Sequence, residues 1–175
     1  LRTYDGTKST DEILFSDGVL YLLVDPQKQP VGYQAKTPTY SEISYANNFW
    51  GWSRERPDRS IVAVEADSGK ILWQHTAKIA PLSLTVGGKS VFFCDGEKMV
   101  ALDRKTGKPA WASPLPQRQA LTTGTGDAPR VVYSNGVVVI CHRTQTSGFA
   151  ADSGKPLWQG KTEPSGHHCP NDLFV

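Results

Sequence analysis

Three cysteines and a single methionine stand among 175 residues. That is too few thiols for a disulfide scaffold, and the odd number leaves at least one cysteine unpaired within the chain. No Cys-x-x-Cys or Cys-x-x-Cys-His occurs, which removes the zinc knuckle and the covalent haem attachment site. Charge of one sign is also missing: 19 basic residues face 17 acidic ones, a net of +2. So mild a balance predicts no nucleic-acid partner. The longest apolar runs, at 19–24 and 137–141, are far shorter than a bilayer span, so no membrane span is expected. Phosphate-binding and nucleophile-elbow motifs are absent. Gly124-Thr-Gly126 precedes a strand rather than a helix and reads as a loop, not a phosphate cradle. No helical periodicity appears, whereas twelve prolines and sixteen glycines imply many turns. The chain opens at Leu1 without methionine or an apolar leader and closes on Leu173-Phe174-Val175, which reads as mid-strand. Both ends are expected to be cuts through a longer polypeptide.

A repeat is what the sequence does contain. Ala63 to Trp73, Ala101 to Trp111 and Gly148 to Trp158 align without gaps, each carrying Ser/Thr-Gly-Lys-x-x-Trp. The turn glycines Gly69, Gly107 and Gly154 recur at spacings of 38 and 47 residues. A second set of positions recurs with them: Ala80-Pro81 to Gly88 matches Ala128-Pro129 to Gly136, and Cys169-Pro170 begins another copy. Each unit reads as four short strands. Strand A covers 82–86 or 130–134, and a Gly-Gly or Asn-Gly turn leads to strand B at 91–94 or 137–141. Strand C ends at Ala-Val-Glu or Ala-Leu-Asp. After the glycine-lysine turn, strand D carries the tryptophan. Four strands in roughly 40 residues is the period of a propeller blade.

The motif Ala-x-Asp-x-x-Thr-Gly-Lys-x-x-Trp resembles the tryptophan-docking repeat of the pyrroloquinoline-quinone-like propeller family. That family includes quinoprotein alcohol dehydrogenases and the propeller lipoprotein of bacterial outer-membrane assembly. The resemblance implies an all-β partial propeller of four-stranded antiparallel blades, one propeller fragment over 1–175. Blade 1 is expected at about 10–76 with an insert at 25–58, blade 2 at 80–114, blade 3 at 128–162, and the start of a fourth at 168–175. Residues 1–4 fit the outer strand of a preceding blade. Trp73, Trp111 and Trp158, with Gly69, Gly107 and Gly154, take the docking roles. Rings of seven or eight blades are implied, so apolar blade faces and strand edges invite self-association or closure by further sequence. An extracytoplasmic, periplasmic setting is implied as well.

The departures from the repeat locate the candidate sites. From Gly18 to Trp73 is 55 residues, against 23 from Gly88 to Trp111, so blade 1 carries a long insert between strands B and C. Tyr45, Phe49, Trp50, Trp52 and Arg54 within it are candidates for binding a protein or small-molecule ligand on the face formed by B–C and D–A connections. Arg54, Arg56 and Arg59 form the one local basic cluster and read as solvated loop. Cys94 and Cys141 end strand B in consecutive blades and are expected to point to that face. Cys141, His142, His167, His168 and Cys169 are the candidate metal or haem-associated set, in residue types that suit zinc, copper or iron. By resemblance, a quinone dehydrogenase would hold its cofactor beside a disulfide of adjacent cysteines, with calcium on nearby carboxylates and amides. No adjacent cysteines occur, and Asp127 and Asp172 do not complete a calcium set. Pyrroloquinoline quinone with calcium is therefore expected only in a complete ring. The leading expectation is a non-catalytic binding or scaffold module of a larger bacterial protein, with a quinoprotein dehydrogenase fragment and a metal-associated redox propeller as alternatives.

Overall fold

A computed structural model describes residues 4–25, 58–80, 82–116, 129–142 and 145–161. These fold as three four-stranded antiparallel sheets in chain order, an all-β partial propeller. Blade 1 comprises β1 (Thr10–Ser16), β2 (Val19–Val24), β3 (Arg59–Glu65) and β4 (Ile71–Ala77). Blade 2 comprises β5 (Thr85–Gly87), β6 (Ser90–Cys94), β7 (Lys98–Asp103) and β8 (Pro109–Pro114). Blade 3 comprises β9 (Arg130–Ser134), β10 (Val137–His142), β11 (Gln145–Ala150) and β12 (Pro156–Lys161). Each blade is a meander whose neighbours in sequence are neighbours in the sheet.

Turn chemistry sets the repeat. Asp17-Gly18 and Asn135-Gly136 both take positive φ at the two central positions, the mirror-image turn whose twist matches antiparallel strands. In blade 2 the turn lies one residue later than the Gly87-Gly88 pair suggested. Gly87 pairs with Ser90, and Gly88 and Lys89 make the bend. The glycine-lysine turns are superimposable in their bonding. The amides of Gly69, Gly107 and Gly154 each donate back to the carbonyls of Glu65, Asp103 and Ala150, all at 2.8 Å. The Asp103 carboxylate also accepts from the hydroxyl and amide of Thr106 and the amide of Lys105. Those bonds, the Thr106 hydroxyl first, hold it below the usual carboxylate range. Blade 3 makes the same turn with Ala150 there, so the backbone bond and the glycine suffice.

Strand alternation divides the core among the seams between blades. Val91 and Phe93 of β6 join Tyr21, Leu23, Ile61, Ala63 and Trp73 of blade 1. Phe92 and Cys94 of the same strand turn to Val131, Val138, Ile140 and Phe149 of blade 3. Blade 2 thus has no core of its own; its burial is shared across two interfaces, as in other stacked repeats.

The docking tryptophans close these seams. The Trp73 indole nitrogen donates to the Arg104 carbonyl at 2.9 Å, and a β-carbon on Gly107 would lie 2.5 Å from its ring. The Trp111 indole nitrogen donates to the Ala151 carbonyl at 3.0 Å, with Gly154 beneath it in the same relation. Trp158 differs: it is 47% exposed and its ring lies against Gly148 of its own blade. The next glycine-lysine turn that would receive it is not among the described residues.

Blade 2 begins differently from expectation. Residues 82–84 are not strand; only Thr85–Gly87 pairs with β6. Leu82 has φ 61°, a left-handed conformation that no strand accommodates, and its amide turns to the Glu12 carboxylate of blade 1.

Candidate binding face

The strand ends where the insert leaves and returns share one edge of the propeller. Thr10 pairs with Val24, Val24 with Ser60, and Arg59 with Ala77. The connection from β4 to β5 lies on the same edge, which is the face expected to carry a site. There Arg59 opens β3 with its side chain 5% exposed, so its reading as part of a solvated basic loop is corrected. The cause is pairing. Its guanidinium donates to the Ile79 carbonyl at 2.9 Å and lies 3.6 Å from the Asp25 carboxylate and 3.7 Å from that of Asp11. A buried cation needs such partners, since removing one leaves an uncompensated charge in low dielectric.

Glu12 adds a second tie across the seam. Its carboxylate accepts from the Leu82 amide and, at 3.3 Å, from the Leu84 amide of the incoming connection. Burial pushes its pKa up to about 7, while those two amides and Arg59 pull the other way. Asp25, the first residue of the insert, is 2% exposed and donates its amide to the Ser9 carbonyl at 3.1 Å. Both roots of the insert, Asp25 and Arg59, are therefore fixed in one buried cluster. Charged residues at insert boundaries and at the head of an apolar strand were the signal for this cluster in the sequence. Spacing alone gave no sign that they meet.

Tyr45, Phe49, Trp50, Trp52 and Arg54 lie outside the described residues, as do His167, His168, Cys169, Asp127 and Asp172. Of the candidate metal set, Cys141 is buried near the end of β10 and His142 is that strand's last residue. The structure does not bring Cys94 and Cys141 to a shared open face. Cys94 packs in the seam between blades 2 and 3, and Cys141 alternates with Ile140, which faces that seam, so it lies on the other side of β10. Burial raises the Cys94 thiol to about 12, which makes it an inert core group. Among the described residues no three His, Cys, Asp or Glu side chains are placed to hold a metal. Among the described residues at this face, the carboxylates of Asp11, Glu12 and Asp25 are engaged with Arg59 and backbone amides, so these three do not fit the calcium that the resemblance implies.

Three blades joined by two docked indoles, with glycine-lysine turns in register, define a pyrroloquinoline-quinone-like β-propeller. The chain belongs to this family: the family model described as outer membrane protein assembly factor BamB matches residues 55–172. It is 31% identical over 138 residues to the quinohemoprotein alcohol dehydrogenase ADH IIB of Pseudomonas putida, covering 68% of this chain and 19% of that one. It is 28% identical over 115 residues to the outer membrane protein assembly factor BamB of Burkholderia pseudomallei, covering 58% and 30%. The quinohemoprotein alcohol dehydrogenase of Comamonas testosteroni superposes with a TM-score of 0.53 at 18% identity, over 89% of this chain and 22% of that one, a likeness of fold. The chain thus spans between 19% and 30% of the length of these two curated relatives.

Proposed function

We propose that this chain is a non-catalytic binding segment of a larger extracytoplasmic propeller protein, and that it engages a partner protein through the face carrying the 25–58 insert. The observation that carries this reading is the buried anchoring of both insert roots, Asp25 and Arg59, in one charge cluster. The charged side chains Asp11, Glu12, Asp25 and Arg59 are consumed in holding the connection between blades. The insert itself brings six aromatic residues, the side-chain types that dominate interface hot spots. A periplasmic setting is supported by the family description, which names an outer-membrane assembly factor. Pull-down from a bacterial envelope extract followed by calorimetry with the captured partner tests the role. Trp50→Ala with Trp52→Ala should weaken binding by tenfold or more at unchanged thermal stability. Unchanged affinity in that double variant excludes the insert as the binding element.

The dehydrogenase relative favours a second reading, a segment of a quinone-dependent dehydrogenase whose cofactor residues lie elsewhere in the whole protein. Calcium-dependent dye reduction with added quinone by the whole protein would support that reading and displace the first.

A further inference from the structure

The glycine-lysine turn of blade 1 has an occupant that the repeat pattern does not mark. The Tyr4 hydroxyl donates to the Ala66 carbonyl at 2.9 Å, and a β-carbon on Gly69 would lie 3.2 Å from the Tyr4 ring. Ala66, Arg104 and Ala151 are equivalent positions of the three turns, as are Gly69, Gly107 and Gly154. Trp73 and Trp111 donate to the second and third of those carbonyls and lie over the second and third of those glycines. Tyr4 lies outside the residues matched by the family model and carries a different side chain, yet it makes the same two contacts.

We infer that Tyr4 is the docking residue of the blade 1 notch, a phenol taking at Ala66 and Gly69 the place that indoles take on the other two turns. The chemistry follows from what the notch presents. A glycine without a side chain leaves room for a ring face, and one outward carbonyl needs a donor. Indole N–H and phenol O–H both satisfy it; a ring without a donor, or a donor without a ring, does not. Tyr4 also packs against the cluster of Leu22, Val24, Val62 and Val64 on the side of blade 1 away from blade 2. Leu14 faces the seam with blade 2, so the neighbouring Ile13 and Phe15, 65% and 66% exposed, project to that outward side too. The outward side of blade 1 is therefore shaped as a seam with its docking residue in place.

Amide hydrogen exchange of the 175-residue chain tests this locally. Tyr4→Leu should speed exchange at residues 66–70 by about tenfold, with the 104–108 turn unchanged. Tyr4→Phe should fall between, since it keeps the ring and loses the donor, and Tyr4→Trp should restore protection to the level of the parent chain. Should Tyr4→Leu be lost to misfolding, the Phe and Trp variants alone decide the matter. Equal protection of the 66–70 turn in the Phe, Trp and parent chains overturns the donor requirement. Loss of protection in the Trp variant overturns the shared notch.

Discussion

The seam between blades 1 and 2 and the seam between blades 2 and 3 are built from the same repeat and closed in different ways. Both place an indole on the next blade's turn glycine, and both put an aromatic ring about the same distance from it. Tyr21 and Trp73 centroids are 5.9 Å apart, Phe92 and Trp111 5.8 Å. Around that common stitch the first seam is polar. Arg104 reaches from the turn of blade 2 to the Tyr21 hydroxyl at 2.9 Å and the Asp17 carboxylate at 2.9 Å. At the opposite edge Glu12 holds the Leu82 and Leu84 amides and Arg59 holds the Ile79 carbonyl. The second seam is aromatic: Tyr133 stacks on Phe92 at 5.9 Å and 11°, and Gly87 has no side chain where that tyrosine ring passes. The difference teaches that the indole and glycine fix the blade-to-blade register, while the remaining contacts can be exchanged. It also ties the polar seam to the insert, because the same charge cluster anchors both.

The largest effect should fall on the shared stitch. Trp73→Ala removes a buried indole and its hydrogen bond and should cost about 4 kcal/mol in denaturant unfolding, whereas Trp158→Ala should cost less than about 1 kcal/mol. Equal losses at the two positions would break the distinction between an occupied seam and an open one. Gly107→Ala should cost about 3 kcal/mol, since a methyl meets the Trp73 ring at a φ of 68°. Gly136→Ala carries the backbone strain alone, with nothing within 4 Å, and should cost about 1 kcal/mol.

Acidity sharpens the contrast between seams. Folded Glu12 keeps its proton up to about pH 7, whereas an unfolded carboxyl releases it near 4.5. The folded chain binds more protons across that window, so this group's contribution is fully present below about 4.5 and is lost as pH rises through about 7. The change is of the order of 3 kcal/mol, and Glu12→Gln should flatten it in unfolding curves taken from pH 4.5 to 8. A slope unaltered by that substitution would assign the effect to other groups. A small effect is expected for Arg104→Ala, about 1 kcal/mol, because Trp73 bonds its backbone carbonyl rather than its side chain.

The glycine-lysine turns, the Asn135-Gly136 hairpin dipeptide and the docking indoles of Trp73 and Trp111 were legible in the sequence because each is a local rule with a fixed offset. Strand order followed from them. What was not legible depends on contacts between distant residues. Leu82 reads as the first residue of a strand until Glu12, 70 positions earlier, captures its amide. Arg59 reads as a loop arginine until Asp11, Asp25 and Ile79 surround it. Cys94 and Cys141 share a place in the repeat, and that same equivalence puts them in different seams. Tyr4 escaped the pattern because the notch selects a ring with a donor, not a tryptophan as such.

Hydrogen exchange of the docking indole N–H groups, followed by NMR in the intact chain, bears on the central claim most directly. The account predicts strong protection at Trp73 and Trp111, which donate to Arg104 and Ala151, and rapid exchange at half-exposed Trp158. Rapid exchange at all three indoles would contradict it, because no seam would then be closed by a docked ring.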